Sequence, residues 1–346
     1  MENYPQSHAS PRRFGLVMAV AGLIWLLTGP LARAQVDPLP SWNDGPTKRA
    51  ILGFVRAATD PAGPGFVPAD DRIATFDNDG TLWVEQPIYT QVMFAFDRVK
   101  TLATGHPEWK TEEPFRSILS GNRDEMTRFT IQDFVRVIAA THSGMSEEEF
   151  HEIIKQWLAT AEHPRYKRRY TDLVYQPMLE LMRHLRANGF KTYIVTGGGQ
   201  EFVRAFAGPV YGVPPEQVIG SAGKVRYEYD RAGKPVLVKL PSVLLLDDKA
   251  GKPEGINLVI GRRPRAAFGN SIGDRQMLEW TQAGPGARLM MLVHHDDSAR
   301  EYSYGEDSKV GTFSAELREE ALRRGWVVIS MKNDWKRVFP FEKEAW

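Results

Sequence analysis

The run Asp77-Asn78-Asp79-Gly80-Thr81 places two carboxylates two residues apart on a turn opened by a glycine. Such a pair can share a divalent cation and still divide the work. One carboxylate attacks phosphorus, and the other protonates the departing oxygen and later activates water. Alone, the same five residues also describe a solvated acidic turn. Farther along, Thr196 precedes Gly197, Gly198 and Gly199. A hydroxyl and backbone N–H groups entering a helix suit a phosphoryl group, and a glycine run equally serves a tight turn. Glu85, Gln86 and Tyr89 follow the acidic turn closely enough to face a ligand bound there. Glu85 would receive a substrate ammonium group; the competing reading is a helix-start glutamate stabilised by the dipole. His294-His295-Asp296-Asp297 matches no zinc spacing and reads as polar residues at a sheet rim. Arg165, Lys167, Arg168 and Arg169 could attract anions, but a solvated face is the simpler reading.

The elements that must position these residues alternate. Ile73 to Asp77 is a short apolar run that stops at the acidic turn, the pattern of a strand buried in a parallel sheet. Ligands of open α/β sheets bind beyond such strand ends. From 83 to 187 helical periodicity takes over, near 88–103, 112–120, 130–140, 146–161 and 174–188, which predicts an all-helical insert. Ser146 before Glu147, Glu148 and Glu149 supplies an N-cap and first-turn acids, and Asn188-Gly189 a stop. Strands then return at 191–196, 266–269, 288–293 and 326–331, with helices near 200–207 and 274–281. This alternation predicts an α/β fold, a Rossmann-like parallel sheet with helices on both faces. Val225 to Leu240 reads as a β-hairpin decorating one edge. The aromatic tail, Trp326, Trp335, Phe339, Phe341 and Trp346, is expected to pack on the core.

The order of motifs resembles the haloacid dehalogenase superfamily over essentially the whole chain after residue 34, and its phosphoserine phosphatase-like members in the place of the helical insert. Phe76-Asp77-Asn78-Asp79-Gly80-Thr81 matches the first motif, which implies Asp77 as nucleophile and Asp79 as general acid/base. Tyr193 to Gly199 matches the second, implying that Thr196, Gly197 and Gly198 hold the phosphoryl group. Asp247-Asp248-Lys249-Ala250-Gly251-Lys252-Pro253 offers two lysines for the third; the Gly-Lys-Pro setting favours Lys252 over Lys249. The fourth motif, usually Gly-Asp, here reads Gly269-Asn270-Ser271-Ile272-Gly273-Asp274. The resemblance implies Mg²⁺ held by Asp77, Asp79, and Asn270 or Asp274. With an amide replacing an acid at 270, weaker or less selective metal binding is expected. Dehalogenases of the superfamily lack the second aspartate, so Asp79 favours phosphate ester chemistry.

Residues 1–34 carry Arg12 and Arg13, an apolar run from Leu16 to Leu27, and Ala32-Arg33-Ala34, the order of a signal peptide cleaved after Ala34. That implies a periplasmic or secreted protein without stable membrane association after cleavage. Losing Arg12, Arg13, Arg33 and Glu2 would take the formal charge from +1 to −1, so no basic field favours nucleic acid. The absence of cysteine excludes disulfides, thiolate metal sites and cysteine nucleophiles. The expected organisation is a linker at 35–47, a core at 48–82 and 188–346, and a cap at 83–187. The expected activity is Mg²⁺-dependent hydrolysis of a small phosphomonoester; a phosphomutase or a non-catalytic phosphate-ester binder would share these features. Phosphoserine, phosphocholine-like esters, sugar phosphates and nucleotides all fit, with Glu85 tilting towards cationic headgroups. Oligomeric state is left open.

Overall fold

Ile73–Phe76 (β1) is apolar or β-branched throughout and buried at all four positions, which only the centre of a sheet covered on both faces provides. The computed structural model describes residues 36–342; the expected signal peptide and Trp346 lie outside them. Before β1 stands α1 (Pro46–Thr59). After it come α2 (Thr90–Leu102), α3 (Phe115–Ser120), α4 (Arg123–Met126), α5 (Ile131–His142), α6 (Glu147–Thr160) and α7 (Gln176–Ala187). The alternating half follows as β2 (Lys191–Gly199), α8 (Gln200–Tyr211), β3 (Val218–Tyr229), β4 (Pro235–Leu245), α9 (Gly251–Ile260) and β5 (Ala266–Gly269). It closes with α10 (Arg275–Gln282), β6 (Leu289–His294), α11 (Ala315–Arg324), β7 (Val327–Ser330) and α12 (Met331–Asp334).

The strands form one sheet in the order β4-β3-β2-β1-β5-β6-β7, parallel except for β4. Helices cover both faces, as the alternation requires. One core holds Phe54 of α1, Leu181 of α7 and Phe206 of α8. The other holds Ile256 of α9, Leu278 of α10 and Leu317 of α11. A third cluster joins α2, α3 and α5 through Phe96, Phe115 and Val137.

Three expectations need correction. Residues 35–47 are not a plain linker: Leu39 and Trp42 are fully buried, and Trp42 meets Trp335 edge-on at 6.0 Å. Ser41 donates to Glu180 through both its N–H and its hydroxyl. Three prolines hid two core residues. The insert is also not one separate helical unit. Amphipathic α7 lies on the sheet, and α6 sends Phe150, Ile154 and Leu158 into the main core, because helical periodicity reveals an apolar stripe but not its partner. Finally, the hairpin is longer than 225–240. Its two strands run from 218 to 245 around a turn at Gly233, whose φ of 76° suits glycine. It also reaches the helices, with Gly144 N–H donating to Lys239 O and Lys239 N–H to Met145 O.

Trp42 fills the core and donates its indole N–H to Pro177 O at 3.0 Å. Trp42→Ala is therefore expected to lower the unfolding free energy by about 3–5 kcal/mol, read as a lower midpoint in urea denaturation. A loss under about 1 kcal/mol would mean the segment is only loosely attached.

Candidate active site

Register brings the chemistry together. Phe76 pairs with Ile194 of β2 and with Phe268 of β5, so three neighbouring strands end side by side. Asp77, Thr196 and Asn270 emerge there, and Asp77 N–H donates to Phe268 O at 2.9 Å. The chain turns at Gly80 with φ 72°, and a Cβ there would sit 2.2 Å from Asn270 Nδ2 and 2.3 Å from Glu85 Oε1. Glycine is needed for both backbone and space.

Lys252, in the first turn of α9, is the centre of the site. Its Nζ donates to Asp77 Oδ1 at 2.6 Å, Asp274 Oδ1 at 2.5 Å and Val195 O at 2.9 Å. Burial opposes the ammonium charge, but Asp274 and Asp77 hold it firmly protonated. Asp274 Oδ2 in turn accepts from the N–H groups of Asn270 and Ser271, closing the fourth loop around it. Lys249, the other candidate, sits at φ 54° in the approach loop, its N–H donating to Gly273 O. Burial and the charge of Asp274 push the Asp77 carboxyl well above the usual range, with Lys252 pulling back.

Asp79 is raised to about 6 by burial, against the Trp83 indole, which donates to its Oδ1 at 2.8 Å. Trp83 is fixed by stacking on Phe206 at 4.6 Å. Glu85 is buried and accepts from Asn270 Nδ2 at 2.6 Å and from the Tyr304 hydroxyl at 2.7 Å; burial raises its pKa well above the ordinary value. Asn270 is thus a donor to a carboxylate, a task an aspartate could not perform when ionised. His295 Nε2 donates to Gly80 O at 2.7 Å while Nδ1 meets Glu301 at 3.0 Å, which props the acidic turn from below. The rim reading of His295 holds, with a supporting task added.

Across from the carboxylates, the buried Thr196 hydroxyl accepts from Gly198 N–H at 3.0 Å, and Gly199 N–H donates to Gln91 Oε1 at 2.7 Å. The start of α8 follows directly, so amide dipoles point at this end. Thr196, Gly197, Gly198, Asp77, Asp79 and Lys252 all line one cavity of about 520 Å³.

The donor set suits a hard divalent cation. Asp77 and Asp274 flank one buried ammonium, Asp79 and Glu85 add further carboxylate oxygens to the same cavity, and loss of water raises Asp77, Asp79 and Glu85, with neighbouring carboxylates adding to the shift at Asp77 and Glu85. The tightest His/carboxylate group among the described residues is elsewhere: Glu147, His151 and Glu201. Arg204 at 2.7 Å and Lys239 at 3.6 Å already balance it. The basic run is structural: Arg165 donates to Glu301 O and Ser298 O, and Arg168 lies over Phe341. Trp83, Gln91, Tyr304 and the supporting task of His295 escaped the sequence reading, since each reaches the site through tertiary contact rather than motif spacing.

The profile of the family described as haloacid dehalogenase-like hydrolase matches residues 74–279. None of the curated proteins matches the chain. Among solved structures, a conserved functionally unknown protein from Anaerococcus prevotii DSM 20548 aligns with a TM-score of 0.53 at 16% identity, covering 82% of this chain and 91% of that one. A protein with unknown function from Bordetella pertussis Tohama I gives 0.48 at 18% identity over 75% and 97%. A phosphoserine phosphohydrolase-like protein from Francisella tularensis subsp. tularensis SCHU S4 gives 0.38 at 16% identity over 75% and 94%. At its identity, the first supports a shared fold and nothing further.

Asp247 is fully buried, and neither carboxylate oxygen has a hydrogen-bond partner among the described residues. Burial pushes it up to about 7, with Lys252 offsetting part of the effect. Because the folded state holds this proton more tightly than the unfolded chain, its contribution to stability falls as pH rises from about 4 to about 7, by at most about 4 kcal/mol. Asp247→Asn is expected to flatten the pH dependence of the unfolding free energy between pH 5 and 7. An unchanged slope in chemical denaturation would refute the assignment.

Proposed function

This chain belongs to the haloacid dehalogenase-like hydrolase family, and we propose that it is a Mg²⁺-dependent phosphatase that cleaves a phosphomonoester through a phospho-aspartate on Asp77. The observation that carries this reading is the pair of carboxylates at the end of the central strand, buried Asp77 gripped by Lys252 and half-buried Asp79 by Trp83. A site that only bound phosphate would gain nothing from two carboxylates beside an anion.

Lys252 engages Oδ1 of Asp77, which leaves Oδ2 for attack on phosphorus. As that P–O bond forms, the ester P–O bond breaks, and protonated Asp79 delivers its proton to the leaving alkoxide. With a carboxyl raised to about 6, Asp79 is suited to exist in both forms near neutral pH. In the second half, ionised Asp79 takes a proton from water, the water oxygen attacks phosphorus, and Asp77 leaves as carboxylate. Thr196, the Gly197-Gly198 backbone and the start of α8 hold the phosphoryl oxygens throughout. Asp77, the main-chain carbonyl of Asp79, and Asn270 or Asp274 would hold Mg²⁺, which when bound supplies charge neutralisation on the phosphoryl group. Asn270 already donates to Glu85 through its amide nitrogen, so only its oxygen, which accepts from Thr81 at 3.2 Å, could serve. Asp274 is the stronger donor. The order of residues 1–34 supports export and a periplasmic or secreted location, with a small phosphorylated substrate and no nucleic acid as partner.

Phosphate release from a panel of phosphomonoesters, with Mg²⁺ and with chelator, tests the reading. Asp77→Asn is expected to abolish release. Asp79→Asn should lower kcat by about 10²–10⁴-fold on alkyl esters, and less on an aryl ester whose leaving group needs no proton. Turnover that survives Asp77→Asn would refute the nucleophile.

A further inference from the structure

The cavity extends well past the reacting carboxylates, and its character changes along its length. At the catalytic end it is lined by acids, Lys252 and the glycine turn; Asp248 also belongs there, beside Gly197 and Gly273. Beyond Gln91 the walls become hydrocarbon. Helix α5 contributes Phe134, Val135 and Ile138, and strand β4 and its end contribute Leu240, Val243 and Leu246. Phe150 and Phe202 close the floor. The hairpin taken from the sequence as an edge decoration is therefore half of the far wall.

Two features separate this wall from ordinary surface. Val135, Val243 and Leu246 are 53%, 58% and 66% exposed, so a rim of large apolar side chains stands in water around one opening. Scattered exposed apolar residues need no explanation, but a set converging on the mouth of a reactive cavity marks a place that something apolar covers. The second feature is charge. Of the ionic groups in this part, Lys239 lies over the Phe150 ring at 4.6 Å and 3.6 Å from Glu147, and Glu201 is bound by Arg204 and His151. Burial lowers His142 to about 3, so its ring is neutral at physiological pH. Glu85 belongs to the catalytic end, where its Oε1 accepts from both Asn270 and Tyr304.

We propose that the leaving group of the substrate is an uncharged, hydrocarbon-rich alcohol, held between α5 and the hairpin while its phosphate lies at Asp77. This rests on the phosphatase reading above and names the substrate class for the same site. A volume of about 520 Å³ falls within the roughly 300–1,000 Å³ of sites that enclose a drug-sized ligand, far more than the side chain of an amino-acid phosphate fills. Between α5 and the hairpin the walls named above supply mainly apolar contact, so discrimination along that part comes from burying hydrocarbon.

The test is a homologous series of straight-chain alkyl phosphates, ethyl to octyl, used below micellar concentrations. The leaving alcohols have nearly equal acidity, so chain length is the only variable. In parallel, binding of the matching alkyl phosphonates, which cannot be hydrolysed, is measured by calorimetry. We expect kcat/KM and phosphonate affinity to rise together by about fourfold for each fully buried methylene added, with phosphocholine and phosphoserine poorer than octyl phosphate. Val243→Ser and Leu246→Ser, both at exposed positions that folding tolerates, should flatten that dependence. Phosphate release that is indifferent to chain length, or that favours the charged esters, overturns the proposal and leaves the phosphatase standing. No release from any ester, with phosphonate binding still rising with length, supports the apolar pocket and sinks the phosphatase reading. Neither release nor length-dependent binding overturns both.

Discussion

The salt link of Lys252 with Asp77 and Asp274 is the interaction on which the rest of the site depends. Each partner comes from a different part of the fold: the end of β1, the first turn of α9 and the loop after β5. Removing such a buried cation would leave two carboxylates facing each other without water, a situation that costs about 3–5 kcal/mol in comparable pairs. The third bond of Nζ, to Val195 O, ties the ammonium to β2 as well. One side chain thus ties together the three central strand ends, and so the Asp77 carboxylate and the Thr196 turn opposite it.

The same link explains the electrostatics. One ammonium cannot neutralise Asp77, Asp79, Glu85 and Asp274 together, so the remaining charge is handled locally. Trp83 donates to Asp79, while Asn270 and Tyr304 donate to Glu85. Asn270 follows from this arrangement. An aspartate there would place a second carboxylate 2.6 Å from Glu85, whereas the amide turns the contact into a hydrogen bond and keeps an oxygen for Thr81. Asn270 and Glu85 therefore fit each other as donor and acceptor.

Much of this was legible in the sequence, for a specific reason. Asp77, Thr196 and Asn270 each end a short apolar strand, and Lys252 and Asp274 follow glycine-containing turns at fixed offsets, so pattern and order place them with no knowledge of packing. The parallel sheet followed from the alternation. What stayed hidden depends on contacts between distant segments. Trp83 and Gln91 carry no motif, and Tyr304 lies in a stretch without periodicity. Helix α7 shows the same amphipathic stripe as the helices before it, though its stripe meets the sheet. The hairpin could be read as two strands and a turn, but its part in walling the cavity exists only once α5 is placed beside it. Leu39 and Trp42 were masked by prolines that mark turns and say nothing about burial.

The central claim is that Asp77 carries the phosphoryl group between two half-reactions. Rapid mixing of the protein with a hydrolysed ester, acid quench within the first turnover and peptide mass mapping test it directly. The account predicts a phosphoryl adduct on the peptide containing Asp77, acid-stable and lost on treatment with hydroxylamine as an acyl phosphate should be. Alcohol released in the first turnover with no adduct on that peptide, or an adduct on another residue, would contradict it.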